Sequence, residues 1–470
     1  MSEPRSIGIV GGGIAGLSAA HWLVRNRPSV NVTLLESGAR LGGKILTERV
    51  QNFVVEAGPD SFLASKPEGL ALCRELGIED QLVSSFAENR GSFVALDGEL
   101  HALPEGMSGL IPTRIDSVMT SSLFSEAGKE RFAEEPMVPA RTGDGDESLA
   151  QFVERRFGVE AYSKLIEPLL AGIYAGDGRE LSLTATFPQL RNLEETYGSV
   201  LRGLEATASA PERREDTGMA SREAGDKRGF VTPRKGMGEI VAAVQPALRS
   251  ADVRLGAQVR AIRRRNSGFQ LAMNDGEYLE MDAVIVATPA HVSAQLLSDL
   301  DVELSHELMA IPYVSSATVS LAFLREQVPH PLHGYGYIIP RVSGSPLLAC
   351  TWVSSKYPSR APERHVLLRV FVGRRGMEAA VELGNEQIEE LVRDELRNRL
   401  GIKAKPELER VHRWPEGMPQ YTLGHPQRVN RIGRLVANHA HLHVAGNSYQ
   451  GVGVPDCIRS GELAAAAAVS

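Results

Sequence analysis

Gly11, Gly13 and Gly16 stand in G-x-G-x-x-G spacing directly after the β-branched run Ser6-Ile-Gly-Ile-Val10. In such a turn the first glycine bends the chain and the second lets a pyrophosphate approach the backbone. The third lets the following helix pack closely on its strand. Gly12, Ile14 and Ala15 complete the turn and open that helix, whose positive dipole end faces the phosphates. A second strand, Asn31-Val-Thr-Leu-Leu35, ends on Glu36. That acid lies about 20 residues past the last glycine, where a ribose 2′-hydroxyl needs a carboxylate acceptor. A tight turn followed by a chance acid explains this combination less well. The stretch predicts a dinucleotide site.

Arg40-Leu-Gly42-Gly43-Lys44 follows at once. Simple nicotinamide dehydrogenases do not require paired glycines here. Gly42 and Gly43 permit close backbone approach, and Arg40 and Lys44 can balance a diphosphate. Cofactor contact is therefore preferred to a solvated basic turn.

These residues need a scaffold, and 470 residues with 43% hydrophobic content are enough for two or three domains of an ordinary soluble protein. Acids outnumber bases, 58 to 51, so no general affinity for nucleic acid is implied. Cys73, Cys350 and Cys457 lack C-x-x-C spacing, which fits a reducing cytoplasm and excludes a cysteine zinc site. The first residues do not read as a signal peptide, and no run reaches the ~20 apolar residues of a membrane span. Peripheral attachment stays open.

Along the chain, Phe53 to Phe62 reads as a strand entering a Gly58-Pro59-Asp60 turn. Lys66 and Pro67 open a helix with Leu70, Leu72 and Leu76 as its stripe, Cys73 as a core thiol and Gly77 as C-cap. Residues 82–204 read as amphipathic helices. Within them, Met107 to Phe132 is a helical layer packed on its own domain, with a membrane-facing patch as the weaker alternative. Glu134 to Glu147 reads as an exposed loop, and Ser148 caps a helix running through Phe157. Leu165-Ile-Glu-Pro-Leu-Leu-Ala-Gly172-Ile173-Tyr174-Ala-Gly176-Asp177 ends an apolar helix in spaced small residues. These admit either close backbone packing or a flat ligand. Residues 206–228 read as a mobile insert.

A helix is expected near 239–248, and alternating strands near 253–255, 259–262 and 269–273. Asp282 to Pro289 is a buried parallel strand at the ligand edge of its sheet. A second sheet is expected from 317–323, 336–340, 347–353 and 366–373, followed by a helix over 386–400. Trp414 reads as a stacking platform or, more commonly, a core residue. Near the end, Leu442 to Asn447 reads as another strand with a glycine turn at Gly446. Gly451-Val452-Gly453-Val454 then precedes a small-residue helix over 459–469, offering backbone N–H groups to an electron-rich ring edge. Cys457 reads as a small buried residue, with nothing nearby to activate its thiolate.

The opening turn, the Arg40–Lys44 loop and the closing Val-Ala-Gly446…Gly451-Val-Gly453-Val resemble the amine-oxidase-like FAD superfamily. Gly58-Pro-Asp-Ser-Phe, the thirteen residues ending at Asp177, Ala349-Cys-Thr-Trp352 and Met418-Pro-Gln-Tyr421 resemble its porphyrinogen oxidases of heme biosynthesis. The sequence is most similar to the soluble Gram-positive type, which is understood to oxidise coproporphyrinogen III; other branches take protoporphyrinogen IX. The resemblance implies an α/β (α+β) fold with a Rossmann-type FAD-binding domain (1–65, 229–295 and 411–470). It also implies a mixed-sheet substrate domain (66–80 and 296–410) and a helical domain (81–205).

Non-covalent FAD contacts are implied at Gly11 to Gly16, Glu36, Ser37, Lys44, Gly58, Pro59, Asp60 and Ser61. Others are implied at the backbone of Val259, at Trp414, and at Val452, Gly453 and Val454. Gly172, Ile173 and Tyr174 would line the substrate cavity, so ligand approach now outweighs backbone packing there. Lys66 is the basic residue offered to substrate carboxylates, although Pro67 replaces an adjacent basic residue of relatives.

The implied reaction is a cytoplasmic six-electron oxidation in three hydride transfers to FAD, with O2 reduced to H2O2. The chemistry belongs to the flavin, so no catalytic side chain and no metal are assigned. Transient contact with the next heme-pathway enzyme is compatible with this reading. An amine oxidase would favour a lysine behind the flavin and an aromatic cage, and a polyene desaturase a longer greasy entrance. A non-catalytic tetrapyrrole-binding flavoprotein would not need the complete set of FAD residues.

Overall fold

The computed structural model describes residues 6–86, 91–143, 145–209 and 229–470. Its organising element is a five-stranded parallel sheet. The strand Ser6–Val10 (β1) lies between Asn31–Glu36 (β2) and Ala283–Val286; Asp252–Leu255 and Leu442–Val444 form the two edges. Every residue of Ala283–Val286 is buried, as a strand covered on both faces must be. Because the strands are parallel, their C-terminal ends share one edge, where ligands of open α/β sheets bind.

Helix α1 (Ile14–Asn26) packs against the C-terminal helix Val454–Ala468. A Cβ on Gly461 would strike the Ala15 carbonyl, so only glycine permits this approach. The C-terminal helix begins five residues before the expected 459, directly on the Gly453 turn. The helix Pro67–Glu75 adds Leu72 and Cys73 to this same core.

A seven-stranded mixed sheet forms the second layer. Its order is 408–419, 313–324, 365–372, 347–352, 336–338, 93–96 and 99–102. Two of its features depart from the sequence reading. Phe93–Leu96 and the edge strand Glu99–Ala102 lie inside the span read as helical, and Trp414 lies within a twelve-residue strand, Leu408–Pro419. The helix Asn385–Leu400 buries Ile388, Val392, Leu396 and Leu400 against one face of this sheet.

Between 115 and 209 the chain is helical around Phe132, Phe152, Phe157 and Leu165. Ser148 caps Leu149–Phe157 with a reciprocal Gln151 bond, as expected. The expected exposed 134–147 loop is exposed at 139–140, 142–143 and 145, but the expectation is corrected at Glu135 and Glu147, which are buried among arginines. The expected insert lies outside the described residues from 210 onward; 206–209 finish the helix Val200–Ser209. Among the described residues no helix is long and apolar enough to cross a membrane.

Candidate functional site

The glycine turn sits at the C-terminal edge of the parallel sheet, fixed by Gly11 N donating to Leu35 O and Ala287 N to Val10 O, both at 2.8 Å. Gly11 needs its φ of 109°, and a side chain there would meet the Ala287 carbonyl. Gly13 is different. A Cβ on it would find no atom within 4 Å, so the turn leaves open space where a pyrophosphate needs it. Ile14 and Ala15 bury their side chains in the core, leaving their backbone N–H groups at the helix start.

Glu36 braces this turn. Its carboxylate accepts from Gly12 N at 2.8 Å and Gly38 N at 2.7 Å, with the exposed Ser37 beside it. Gly42 N donates to Gly12 O at 2.8 Å, and Gly43 lies against Gly13, so the second glycine loop covers the first. Arg40 spends its guanidinium on the Leu41, Gly43 and Ile45 carbonyls. It therefore shapes the loop and does not stand free for a diphosphate. Lys44 has no carboxylate partner among the described residues; burial lowers its pKa, with the nearby Cys457 opposing.

Across the cleft, the second sheet holds the 57–61 turn. Trp414 Nε1 and Thr318 Oγ1 both donate to Ala57 O, at 2.8 and 3.0 Å, and Arg369 Nη2 donates to Gly58 O at 2.5 Å. Pro59 is half-buried. Ser61 donates to Asp60 at 2.6 Å. Burial alone would raise the Asp60 carboxyl, but Lys356 at 3.5 Å, with Arg369 and Arg360, holds it down at about 2. Val259 begins a strand at a bulge two residues after Ala257, whose N–H donates to the Glu36 carbonyl; this brings its backbone near Glu36.

At the far end of the cleft Gly446, with φ 121°, is fixed by Ser460 and leaves open space, like Gly13. Gly453 N donates to Asp456 at 3.1 Å, Val452 packs on the helical core and Val454 on the Rossmann core. Burial pushes the Cys457 thiol up to about 12, which leaves it inert.

The substrate-side residues separate. Gly172 and Ile173 are exposed on the helix Glu167–Tyr174, and a Cβ on Gly172 would meet nothing within 4 Å. Tyr174 turns away, packing on Phe187 and Tyr421 with its hydroxyl pKa raised by burial and then by Asp456. Lys66 is not a free cation. Its ammonium donates to both Asp456 oxygens, at 2.7 and 2.6 Å. Sequence reasoning missed Arg369, Thr318 and Asp456. A charge inside the apolar strand 365–372, and an acid three residues into a helix after glycine, were the available signals.

Two helix N-termini, two glycine turns with space for a ligand and an unneutralised lysine form an elongated cradle for a dinucleotide, and the residues present fit FAD. The chain matches the model of the flavin containing amine oxidoreductase family over residues 14–469. It is 36% identical to a coproporphyrinogen III oxidase of Bacillus subtilis, covering 98% of this chain and 97% of that one. It is 31% identical to the Homo sapiens protoporphyrinogen oxidase, covering 98% of each. A provisionally named protoporphyrinogen oxidase from Exiguobacterium sp. superposes with a TM-score of 0.87 at 32% identity over 99% of both chains. Putrescine oxidase, at 18% identity and a TM-score of 0.70, shares the fold. With the cradle and these full-length matches together, the chain belongs to the FAD-dependent porphyrinogen oxidases of the flavin containing amine oxidoreductase family.

Proposed function

We propose that this oxidoreductase converts coproporphyrinogen III to coproporphyrin III in heme biosynthesis, in the cytoplasm. The balance is one porphyrinogen and three O2 giving one porphyrin and three H2O2, six electrons leaving in three pairs. Bound FAD would supply the two-electron acceptor for each pair and pass it to O2.

The protein's own task is placement. Glu36 would accept the ribose hydroxyl, and the Gly11–Gly16 turn with Lys44 would hold the diphosphate. The Ala57–Gly58 carbonyls, fastened by Trp414, Thr318 and Arg369, would set the ring against the second sheet. Gly172 and Ile173 would admit the tetrapyrrole, since both are exposed and a Cβ on Gly172 would meet nothing within 4 Å. No protein group needs to give or take the transferred hydrogen, so none is assigned as acid or base.

The observation that carries the substrate choice is the 36% identity with a coproporphyrinogen III oxidase across 98% of the chain. Porphyrin fluorescence tests it, with coproporphyrinogen III and protoporphyrinogen IX supplied separately to FAD-loaded protein. Faster oxidation of coproporphyrinogen III is expected. A preference for protoporphyrinogen IX would reassign the substrate, and oxidation of neither with FAD retained would remove the heme reading.

A further inference from the structure

Lys66 and Asp456 lie 390 residues apart in the chain and meet where three parts of the molecule join. Lys66 immediately precedes the helix Pro67–Glu75, and Asp456 sits in the first turn of Val454–Ala468. Glu68 and Arg459 repeat the connection between these helices at 3.8 Å. The Asp456 side chain is 8% exposed and that of Lys66 42%, so the pair is anchored on its acid and open on its base.

The carboxylate does more than hold lysine. Oδ2 also accepts from Gly453 N at 3.1 Å, and the side chain fills the space where Gly451 would carry a Cβ. Gly451 has φ 83°, which also demands glycine. The 451–453 turn is therefore moulded on Asp456, and Asp456 is oriented by Lys66. Its charge is also felt nearby: after burial, it is the next cause raising both Tyr174 and Cys457.

We propose that Lys66 and Asp456 are positioning residues for the flavin. As a pair they set the 451–453 turn against the ring and neutralise each other's field on it, so that the flavin reduction potential depends on both. The proposal rests on the reading that Val452 to Val454 lie beside the flavin. Its electrostatic part follows from sign. Reduction adds negative charge to the ring, so a lone cation beside it favours reduction and a lone anion opposes it. Lys66 is thereby removed from the set of groups offered to substrate carboxylates.

The test uses full-length protein loaded with FAD, as wild type, Lys66→Met, Lys66→Arg, Asp456→Asn and the Lys66→Met/Asp456→Asn double variant. The potential is read anaerobically by equilibration with a reference dye, and the FAD dissociation constant by titrating stripped protein. Lys66→Met is expected to make the flavin harder to reduce and Asp456→Asn easier. Each shift should be near tenfold in the reduction equilibrium, about 30 mV for a two-electron couple. Lys66→Arg and the double variant should return close to the wild-type potential. FAD should bind at least tenfold more weakly to Asp456→Asn, whose turn loses its carboxylate.

Shifts of the same sign in the two single variants, or no shift, would overturn the proposal. So would an unchanged potential in Lys66→Met with a raised KM for the tetracarboxylate substrate, which would return Lys66 to substrate binding. Lys66 is exposed enough that its variants should fold even if Asp456→Asn does not, and Lys66→Met against Lys66→Arg then decides the sign alone. Wild-type protein that binds FAD but oxidises no porphyrinogen would defeat the functional reading and leave these potentials measurable.

Discussion

Two groups of buried charges do different work in this molecule. In the helical part, Glu135, Glu147 and Glu194 meet Arg141, Arg155, Arg156 and Arg191. Arg156 is fully buried and its donors have acceptors: Glu135, Glu194, and the carbonyls of Val138 and Gly198. Glu135 in turn accepts from Ser199, Val200 N and Leu201 N, capping the helix Val200–Ser209. Beneath the 57–61 turn, Glu56 and Asp60 meet Lys356, Arg360 and Arg369. There Arg369 is as deeply buried, yet Nε and Nη1 have no acceptor and only Nη2 is used, on the Gly58 carbonyl.

A buried donor without a partner costs free energy; in the first cluster such donors, Arg141 Nη1 and Arg155 Nε, belong to half-buried arginines around a satisfied Arg156, whereas in the second the deeply buried Arg369 is itself unsatisfied. The difference teaches that the first closes the fold around a satisfied guanidinium, whereas the second leaves donors of Arg369 unpaired while it holds the 57–61 turn.

The hardest test of that contrast is Arg156→Met. It removes the Arg156 cation from the buried Glu135, while Glu194 keeps Arg155 and Arg191, and should cost about 3–5 kcal/mol in denaturant unfolding. FAD affinity of the protein that remains folded should be unchanged. If Arg156→Met instead weakened FAD binding at full stability, the division of labour would be wrong.

Acid comes next. Asp60 has its folded pKa depressed to about 2, so its stabilisation is fully present above the ordinary carboxylate value near 4 and is lost as pH falls towards 2. That is worth about 2 kcal/mol, and Asp60→Asn should flatten the unfolding curve across that window. A variant that keeps the wild-type slope would show that Lys356 and the two arginines do not act on Asp60. Arg369→Met should cost less still, about 1 kcal/mol, because it removes one used hydrogen bond together with two unsatisfied donors while Lys356 and Arg360 remain to balance Asp60 and Glu56. Its larger consequence is expected in FAD affinity, weakened more than tenfold. Equal stability losses in Arg156→Met and Arg369→Met would erase the distinction.

Why one cluster was invisible in the sequence and the other half visible has a physical reason. The Gly11–Gly16 turn, Glu36 and the Ser148 cap are local devices, in which a few neighbouring residues determine conformation and partner. Glu135 lies in a stretch rich in proline, glycine and acids, which has the composition of an exposed loop. It is buried because Arg156, 21 residues on, brings it a compensating charge. The sequence offers Lys66 as a cation for substrate carboxylates, but its partner lies on the last helix, and only the fold reveals that Asp456 neutralises it. The hairpin at 93–102 is hidden in the sequence for a related reason. Its strands are short, and its pairing with 336–338 depends on a segment far along the chain.

The smallest effect is expected at Thr318, where the argument for redundancy can be checked directly. Ala57 O accepts from both Thr318 Oγ1 and Trp414 Nε1, while Gly58 O depends on Arg369. Thr318→Val is close to isosteric and leaves the Trp414 bond in place, so the buried carbonyl keeps a donor. The loss should stay near 0.5–1 kcal/mol in thermal or denaturant unfolding, the net worth of one neutral hydrogen bond. FAD affinity should change less than threefold. Were Thr318→Val to loosen FAD as much as Arg369→Met, the turn would be held at Ala57 and not at Gly58. The unsatisfied guanidinium would then need another explanation.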